Sequence, residues 1–404
     1  MKLVQINTVC NGSTGNIMHS IQLAAHESGF TTMSFVGRRS CYSDVPCIKF
    51  GNPISFWFHV ILNTITDRQG HGSLIQTQNL IRELRKINPD IIHLHNLHGY
   101  YLHIPTLFRY LSTEYNGHIF WTFHDLWPIT GHCPHFVLAD CNKWKVQCHH
   151  CPNKKTYPIS LFFDSSKSNY REKKKLFSSV NNMEIIVPST WMATHVNDSF
   201  LASKPCHVIH NGIDTNIFSY RYNESTYTKY NIAKSKFVIL GIASIWEYRK
   251  GLNDFLSLAD YLTNNNLHEY EIVLVGLTPA QIKQLPPNII GIPRTENREE
   301  LAELYSRANV FMNPSSEESF SLVTVEAMAC GTPAIVLNRS AVSELVPDNV
   351  GIVLNNNTTE DYFNAIVQLQ NHPLNQNTIR HHAEKYSISQ MTKQVISLYT
   401  KILQ

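Results

Sequence analysis

The 404-residue sequence has few charged residues and little excess of either sign. Charged residues make up 16% of the chain, and the formal net charge is only +3. This near-neutral balance gives no general case for nucleic-acid binding, which relies on a basic surface. The hydrophobic content of 43% instead indicates a packed globular protein rather than a disordered chain.

The sequence also lacks a long apolar run. No stretch of about 18 apolar residues occurs, so no transmembrane helix is predicted. The run "ISFWFHVILNTI" (54–65) is apolar but too short to span a bilayer. The start of the chain does not resemble a signal peptide either, because Gln5 and Asn7 interrupt its apolar run. We therefore predict a cytoplasmic protein, for which the inner face of the membrane is one expected place of work.

Short apolar runs alternate with helical patterns along the whole chain. This alternation predicts an α/β protein with parallel sheets and helices on both faces, and the length favours two domains. Domain boundaries are expected at 1–205, with a cysteine-rich loop at about 126–156, at 206–385, and at a C-terminal helix over 386–404 that could cross back to the first domain. The polar stretch Ser219–Lys236 is the best linker candidate. In two doubly wound domains, ligands are expected beyond the carboxyl ends of the strands, in the cleft where the domains face each other.

The segment "NPSSEESFSLVTVEAMACGTPAIV" carries most information about chemistry. Glu318 and Glu326 flank a strand-to-helix turn, and the helix is expected to begin near Ser321 or Leu322. Free amides and the positive dipole end at a helix start form a ready phosphate site. Spacing alone also fits two surface carboxylates beside an amphipathic helix.

This segment resembles the paired-glutamate motif of retaining glycosyltransferases of family 4. Further matches follow in the family's order: "STGN" (13–16), "VIHNGIDTNIF" (208–218) and "RKGL" (249–252). The stretches "HLHNLHGYYL", "FHDLWPITGHC" and "ASIWEYRKG" look like the branch that builds bacterial surface polysaccharides, including colanic-acid-type transferases. The resemblance implies the GT-B architecture of two facing Rossmann-like domains, the first binding the acceptor and the second the nucleotide-sugar.

The resemblance also implies roles for individual residues of the second domain. Glu326 would bind the nucleotide ribose, and Glu318 would act in catalysis by contacting the donor sugar. Lys250 and Arg249 would neutralise the leaving diphosphate, a form of charge stabilisation that is usually large in group transfer. The diphosphate would be cradled by the amides of Ser321, Leu322 and Val323.

The sequence departs from the family pattern at two of these positions. Ser321 stands where the family usually has a glycine, and Ile245 stands where it has an arginine. Arg249 is then the candidate to replace that arginine.

In the first domain, Gly15 belongs to the matching glycine loop, and a glycine turn lets backbone approach a ligand closely. A plain turn is the alternative, and the dinucleotide fingerprint GxGxxG is absent. His124 ends a predicted strand, and in the family a histidine here contacts the donor sugar, so the resemblance implies a catalytic role for His124. Its alternative is a strand-end histidine bonded to backbone.

Two other polar clusters invite a functional interpretation. The run "HLHNLH" (93–98) could hold a metal, but acceptor-side or structural roles are preferred. The segment Ser165–Phe177 carries Arg171, Lys173, Lys174 and Lys175. These could meet anionic lipid, although a solvated helix face explains them more simply.

Four of the nine cysteines lie within nineteen residues: Cys133, Cys141, Cys148 and Cys151. In a reducing compartment, clustered cysteines indicate metal ligands before disulfides, and four thiolates suit tetrahedral structural zinc. Disulfides, an iron–sulfur cluster and free thiols remain alternatives, and the spacing matches no standard zinc finger.

Together these features predict a hexosyltransferase that moves a sugar from a UDP or GDP donor to a glycan or undecaprenyl-linked acceptor, in O-antigen or capsule biosynthesis. No metal is expected to be required for catalysis. The alternatives are a nucleotide-sugar epimerase or hydrolase on the same fold, or a non-catalytic partner subunit.

Overall fold

A computed structural model describes residues 1–38, 41–42, 44–221 and 223–402. The chain divides into two compact units, one formed by residues 1–210 with 391–404 and the other by residues 211–390. Residues 403 and 404, the end of the predicted C-terminal helix, lie outside the described residues.

The first unit alternates strands and helices. Its elements up to residue 210 are β1 (Lys2–Asn7), α1 (Gly12–Glu27), β2 (Thr31–Val36), β3 (Cys47–Lys49), α2 (Pro53–Thr66), α3 (Leu74–Ile87), β4 (Ile91–Leu94), α4 (Ile104–Thr113), β5 (His118–Thr122), α5 (Ser166–Ser178), β6 (Met183–Val187), α6 (Thr190–Asn197) and β7 (Cys206–Val208). In the part of the chain that the structure describes, these strands form a seven-stranded parallel sheet of order β3-β2-β1-β4-β5-β6-β7.

The second unit repeats the pattern. Its elements are α7 (Glu224–Lys229), β8 (Phe237–Ile242), α8 (Leu252–Asn264), β9 (Tyr270–Val275), α9 (Pro279–Ile282), β10 (Ile289–Ile292), α10 (Arg298–Arg307), β11 (Val310–Asn313), α11 (Leu322–Ala329), β12 (Ala334–Leu337), β13 (Gly351–Leu354), α12 (Thr359–Asn371) and α13 (Gln376–Glu384). Over the described ranges, its six-stranded parallel sheet has the order β10-β9-β8-β11-β12-β13. The last helix, α14 (Ile388–Lys401), belongs to the first unit from Met391 onward.

Both sheets reverse their strand order once, between β1 and β4 in the first unit and between β8 and β11 in the second. This reversal is the switch point at which doubly wound sheets bind ligands, beyond the carboxyl ends of the strands. The predicted α/β class with two Rossmann-like sheets is therefore confirmed.

The inner strands are buried on both faces, which explains why they read as mostly apolar runs in the sequence. In β4, all four residues from Ile91 to Leu94 are buried. In β12, all four residues from Ala334 to Leu337 are buried. Helices cover both faces of each sheet, and each unit has its own apolar core.

The stretch predicted as a linker, Ser219–Lys236, lies inside the second unit instead. It contains α7, and Lys229 of that helix pairs with Glu296 and Glu300, at 2.7 and 2.6 Å. The polar composition suggested a linker, but polar residues such as Lys229 form ion pairs on the surface of the second unit. None of the described helices is long and apolar enough to cross a membrane.

Candidate active site

The turn between β11 and α11 places the paired glutamates of the second unit. Helix α11 begins at Leu322, as the sequence predicts, and the side chain of its N-cap residue Ser321 does not cap the first amides. Ser321 precedes the helix with φ of +94°, in the left-handed region that favours glycine. The Asn313 amide fixes this turn, since its Nδ2 donates to Ser321 Oγ and to Thr324 Oγ1, both at 3.0 Å.

Glu318 forms an ion pair with Lys250, which ends a short 3₁₀ turn over Tyr248–Lys250. Burial by itself would raise the pKa of Glu318, but Lys250 and Arg249 hold it below the ordinary value. The Glu318 backbone N–H donates to Ser340 Oγ at 3.0 Å. Glu318 is therefore an ionised carboxylate, held in position beside a cation.

Arg249 lies against the same turn. Its Nη1 donates to the Glu317 carbonyl at 2.8 Å, and its own carbonyl accepts from the Ser316 N–H at 3.0 Å. Its Nε is buried and has no hydrogen-bond partner within the described structure. Ile245, at the family's arginine position, is 67% exposed. Two cations therefore converge on one anionic turn, and the buried Nε–H of Arg249 has no acceptor within the described residues.

Glu326 follows one turn into α11 and is partly buried. The Tyr305 hydroxyl donates to its Oε2 at 3.2 Å. Burial raises the pKa of Glu326 to about 7, against the opposing effects of Arg298 and the Tyr305 hydrogen bond. The two glutamates thus differ in charge near neutral pH, with Glu318 ionised and Glu326 close to half protonated.

In the first unit, Gly15 lies in the opening turn of α1, which follows β1. A Cβ at Gly15 would lie 2.3 Å from the carbonyl carbon of Cys10, so only glycine allows the helix to start this close to the preceding loop. The structure thus explains Gly15 by close packing. Its predicted part in substrate binding stays a prediction.

His124 lies just beyond β5, at the carboxyl end of the sheet. Its Nε2 is 3.1 Å from His95 Nδ1, and the two rings stack at 5.4 Å. Burial lowers the pKa of His124 to about 4, Asp125 opposes this effect, and His98 adds to it. His124 is thus a neutral imidazole at the switch-point side of the sheet.

The neighbouring histidines are held by hydrogen bonds. His93 contacts the Tyr399 hydroxyl at 2.5 Å and Thr122 Oγ1 at 2.7 Å, while His95 Nε2 is 3.0 Å from Gln5 Oε1. These bonds give His93 and His95 structural roles. His93–His98 does not form a metal-binding group, since none is present among the residues that the structure describes.

His98 and Asp125 form a pair that the sequence analysis did not single out. His98 Nε2 is 2.7 Å from Asp125 Oδ2, and His98 Nδ1 is 2.9 Å from the Tyr157 hydroxyl. Burial opposes ionisation of Asp125, but His98, His135 and the Trp127 N–H together outweigh burial and lower the Asp125 pKa to about 2. The stretch "FHDLW" contains Asp125, but its partner His98 lies 27 residues earlier in the chain. The pair is therefore visible only in the folded structure.

The four cysteines lie together in the irregular segment between β5 and α5. One cavity of the first unit is lined by Cys133, Cys141, Cys148 and Cys151, and all four are free thiols. The Cys133 thiol hydrogen-bonds to Cys151, and the Gly131 N–H donates to Cys148 Sγ at 3.2 Å. However, over the described ranges no group of three or more His, Cys, Asp or Glu side chains has the arrangement of a metal site. The zinc interpretation is therefore not confirmed.

Comparisons with known proteins match both units. A family model described as "Glycosyl transferases group 1" matches residues 224–388, and one described as "Glycosyltransferase Family 4" matches residues 56–217. The putative colanic acid biosynthesis glycosyl transferase WcaC of Escherichia coli is 21% identical over 335 residues, 79% of this chain and 78% of that protein.

Solved structures agree on the fold. The sucrose-phosphate synthase of Thermosynechococcus elongatus superposes with a TM-score of 0.74 at 16% identity, covering 100% of this chain and 99% of that chain. Anabaena Alr3699/HepE in complex with UDP gives 0.67 at 14% identity, covering 99% and 100%. The chain is thus a glycosyltransferase of family 4, an enzyme with the GT-B fold.

Proposed function

We propose that this enzyme transfers a hexose, with retention, from a UDP or GDP donor to a glycan or undecaprenyl-linked oligosaccharide in surface polysaccharide biosynthesis. The observation that carries this proposal is the Lys250–Glu318 ion pair beside the uncapped start of α11. The relative WcaC is named for colanic acid biosynthesis, and the Anabaena neighbour binds UDP. Both names fit a sugar-nucleotide donor and a polysaccharide product.

The arrangement of charges suits departure of a nucleoside diphosphate. Two negative phosphates would meet the Lys250 ammonium, the positive charge of Arg249 and the amides of Ser321, Leu322 and Val323. Charged and polar groups that are preorganised around a leaving group would stabilise its developing charge without reorganising. Glu318 would accept from a sugar hydroxyl, and Glu326 from the ribose.

The transfer breaks the bond between the anomeric carbon and the β-phosphate oxygen and forms a bond from that carbon to the acceptor oxygen. In a retaining transfer both events occur on one face of an oxocarbenium-like sugar. The departing phosphate takes the acceptor proton, so no protein base is needed. His124, being neutral, is suited to donate or accept a hydrogen bond at a sugar or acceptor hydroxyl.

A binding and transfer screen tests this function. The protein is titrated with UDP and GDP, then incubated with UDP- and GDP-sugars with and without glycan or polyprenyl-linked acceptors. We expect one nucleotide series to bind and free nucleotide to appear only when acceptor is present, with the donor's anomeric configuration kept in the product. Nucleotide release without acceptor would indicate a hydrolase, and failure of either nucleotide to bind would contradict the donor class.

We further propose that the four cysteines bind a structural zinc ion that orders the segment between β5 and α5. Support comes from the four free thiols that line one cavity, since four cysteines are a common structural zinc set. Bound zinc would supply cross-linking of a long irregular segment and no chemistry at the anomeric carbon.

Elemental analysis tests the zinc proposal directly. Protein purified without chelator should carry about one zinc per chain, and Cys148→Ser should lower this content and make the segment more sensitive to proteolysis. Cys206→Ser, a free cysteine outside the cavity, is the matched control and should leave the metal content unchanged. Metal-free protein with an ordered segment would contradict the proposal.

A further inference from the structure

Helix α2 presents its apolar side to solvent and its polar side to the protein. Its most exposed residues are hydrophobic and recur on one helical face: Ile54 (84% exposed), Trp57 (62%), Phe58 (63%) and Ile61 (57%). Its buried residues are His59 and Asn63. A surface helix normally has the opposite orientation, so this face needs a partner of its own.

Specific polar bonds hold α2 in this orientation. His59 Nε2 accepts from the Gly70 and Gly72 N–H groups at 3.1 and 3.3 Å. Asn63 Nδ2 donates to the Ile159 carbonyl at 3.0 Å. Because buried polar groups are costly to leave unpaired, rotating α2 to bury its apolar side would break these bonds. The exposed orientation is therefore fixed by the fold.

A second apolar segment extends the same surface. The Leu161 N–H donates to the Thr64 carbonyl at 2.9 Å, and the Phe163 N–H to the Ile65 carbonyl at 3.2 Å. This segment exposes 56% of Leu161, 68% of Phe162 and 62% of Phe163. We call the exposed apolar residues of α2 and of 159–163 the apolar face. A contiguous exposed apolar surface of this kind usually marks an interaction site.

Positive charge accompanies the apolar face. Residues 154–175 contain seven lysines and arginines and two acidic residues, an excess of five in a chain whose whole net charge is +3. Lys154 Nζ donates to the Phe162 carbonyl at 3.3 Å, so this ammonium lies at the face itself. The exposed cations of α5 share one helical side: Lys167, Arg171, Lys174 and Lys175.

Helix α5 is fixed to the end of α2, so its charges stay near the apolar face. The Ser165 N–H donates to Asp67 Oδ2 at 2.8 Å, and Ser165 Oγ donates to the Thr66 carbonyl at 2.7 Å. One basic residue is not available, because Lys173 is buried and donates to the Trp127 and Thr130 carbonyls. This corrects the sequence analysis, which counted Lys173 among the cations that could meet lipid.

We infer that the apolar face and the basic side of α5 together dock the enzyme on an anionic lipid bilayer. Aromatic and aliphatic side chains would enter the headgroup boundary, and the lysines would meet acidic headgroups. The 14 residues of α2 span about 21 Å, less than the roughly 30 Å of a bilayer core, so the helix would lie in the interface. A protein partner would satisfy the apolar face but would not by itself explain the basic excess. The inference deepens the proposed function, since a polyprenyl-linked acceptor is presented at such a surface.

Vesicle flotation of the full chain tests the docking surface. Vesicles of phosphatidylethanolamine and phosphatidylglycerol are compared with vesicles of pure phosphatidylcholine, at low and high salt. We expect binding to the anionic vesicles that weakens with salt. Replacing two exposed aromatics, Trp57→Ser with Phe162→Ser, should lower partitioning by at least about tenfold, because both side chains would otherwise leave water.

Charge reversal of the basic side, Lys174→Glu with Lys175→Glu, should lower anionic binding and remove its salt dependence. Matched controls change the same chemistry elsewhere on the first unit: Val146→Ser, 81% exposed, and Lys393→Glu with Lys401→Glu on α14, both exposed. These controls should bind vesicles like the natural sequence. Equal loss in controls and test variants would overturn the inference.

Light scattering and nucleotide titration separate the remaining outcomes. If the natural sequence ignores vesicles and forms a dimer that the Trp57→Ser, Phe162→Ser variant loses, the face joins two copies and the lipid inference is wrong. If vesicle binding fails while nucleotide binding and transfer to a detergent-solubilised acceptor persist, the docking inference fails alone. If vesicles bind but no nucleotide does, the proposed function fails and the docking surface stands.

Discussion

Ser321 adopts a backbone conformation that its residue type disfavours. A non-glycine residue in the left-handed region costs about 1–2 kcal/mol, and Ser321 has φ of +94°. Its hydroxyl compensates by accepting from Asn313 Nδ2 and bonding Thr324 Oγ1 at 2.9 Å. Ser321, at the position where the family usually has a glycine, therefore keeps the same turn and stabilises it with side-chain hydrogen bonds. The amides at the start of α11 stay available.

Glu326 should make nucleotide binding depend on pH. Because its pKa is raised to about 7, the carboxylate forms as the pH rises through 7, and an anion accepts stronger hydrogen bonds from ribose hydroxyls than a neutral acid does. Nucleotide affinity should therefore rise between pH 6 and 8, by up to about tenfold. Titration calorimetry with the preferred nucleoside diphosphate, UDP or GDP, measures this affinity at each pH.

Glu326→Gln is the control, since it keeps the side chain's size but cannot ionise. Its pH profile reports only the titration of the ligand and of the other groups. The contribution of Glu326 is the difference between the pH profiles of nucleotide affinity of the natural protein and of Glu326→Gln. Indistinguishable profiles would remove Glu326 from ribose binding.

Lys250 should discriminate a nucleoside diphosphate from a nucleoside. Removing a charged donor from a phosphate costs about 1.5–3 kcal/mol, so Lys250→Met should weaken UDP or GDP binding and leave uridine or guanosine binding unchanged. The single change also leaves the partly buried Glu318 carboxylate without its cation. The double variant Lys250→Met, Glu318→Gln removes that unpaired charge. Equal weakening of nucleoside and diphosphate in the double variant would contradict the assignment.

Helix α1 depends on the absence of a side chain at one position of its first turn. Gly15→Ala would press a methyl group against the Cys10 backbone at 2.3 Å, so the helix start must shift. We expect a loss of stability of about 1–3 kcal/mol, typical of overpacking. Gly12→Ala is the matched control in the same turn: it has φ of +76° but nothing within 4 Å, and should cost only about 1 kcal/mol.

The unfolding midpoint in urea compares the two variants. Tryptophan fluorescence reports mainly on the first unit, because five of the six tryptophans lie there. Gly15→Ala should shift the midpoint further than Gly12→Ala does. The reverse order would show that backbone conformation, rather than packing against Cys10, limits this turn.

Elements whose burial follows a simple pattern were predictable from the sequence. The strand β4 is a short, mostly apolar run in the sequence, and the amphipathic helix α3 has apolar residues at helical spacing, so both patterns agree with the structure. Helix α2 was recognised only as an apolar run, because its polar residues face the protein. Hydrophobic periodicity shows that a helix has an apolar side and a polar side, but it does not show which side is buried.

In the candidate site too, some residues could be predicted from the sequence and others could not. Local motifs located Glu318, Glu326 and the start of α11, because they are close in sequence. The pairs Lys250–Glu318 and His98–Asp125 join residues 68 and 27 positions apart. Composition and spacing carry no distance information over such separations. The resemblance supplied Lys250, while His98–Asp125 needed the fold.

At the scale of the whole molecule, the last fourteen residues belong to the first unit rather than to the unit that precedes them. Met391, Val395 and Tyr399 of α14 are buried in an apolar cluster with residues of α1, β5 and β6. Tyr399 also bonds His93, which lies in β4 near the middle of the sheet. The first unit is therefore completed only when the end of the chain is in place.

Truncation after Gln390 should destabilise the first unit selectively. Each of the three large side chains that would be lost contributes about 1.5–3 kcal/mol by burial, and His93 would lose its bond to Tyr399. Tyr399→Phe keeps the apolar contacts and removes only that bond, so it should cost about 1 kcal/mol. Nucleotide binding should persist in both variants, because Lys250, Glu318 and Glu326 all lie in residues 211–390. Fluorescence-detected urea unfolding, paired with calorimetric titration of the nucleotide, measures both effects. A truncated chain that unfolds at the natural midpoint, or loses nucleotide binding while its first unit stays intact, would contradict this division of the molecule.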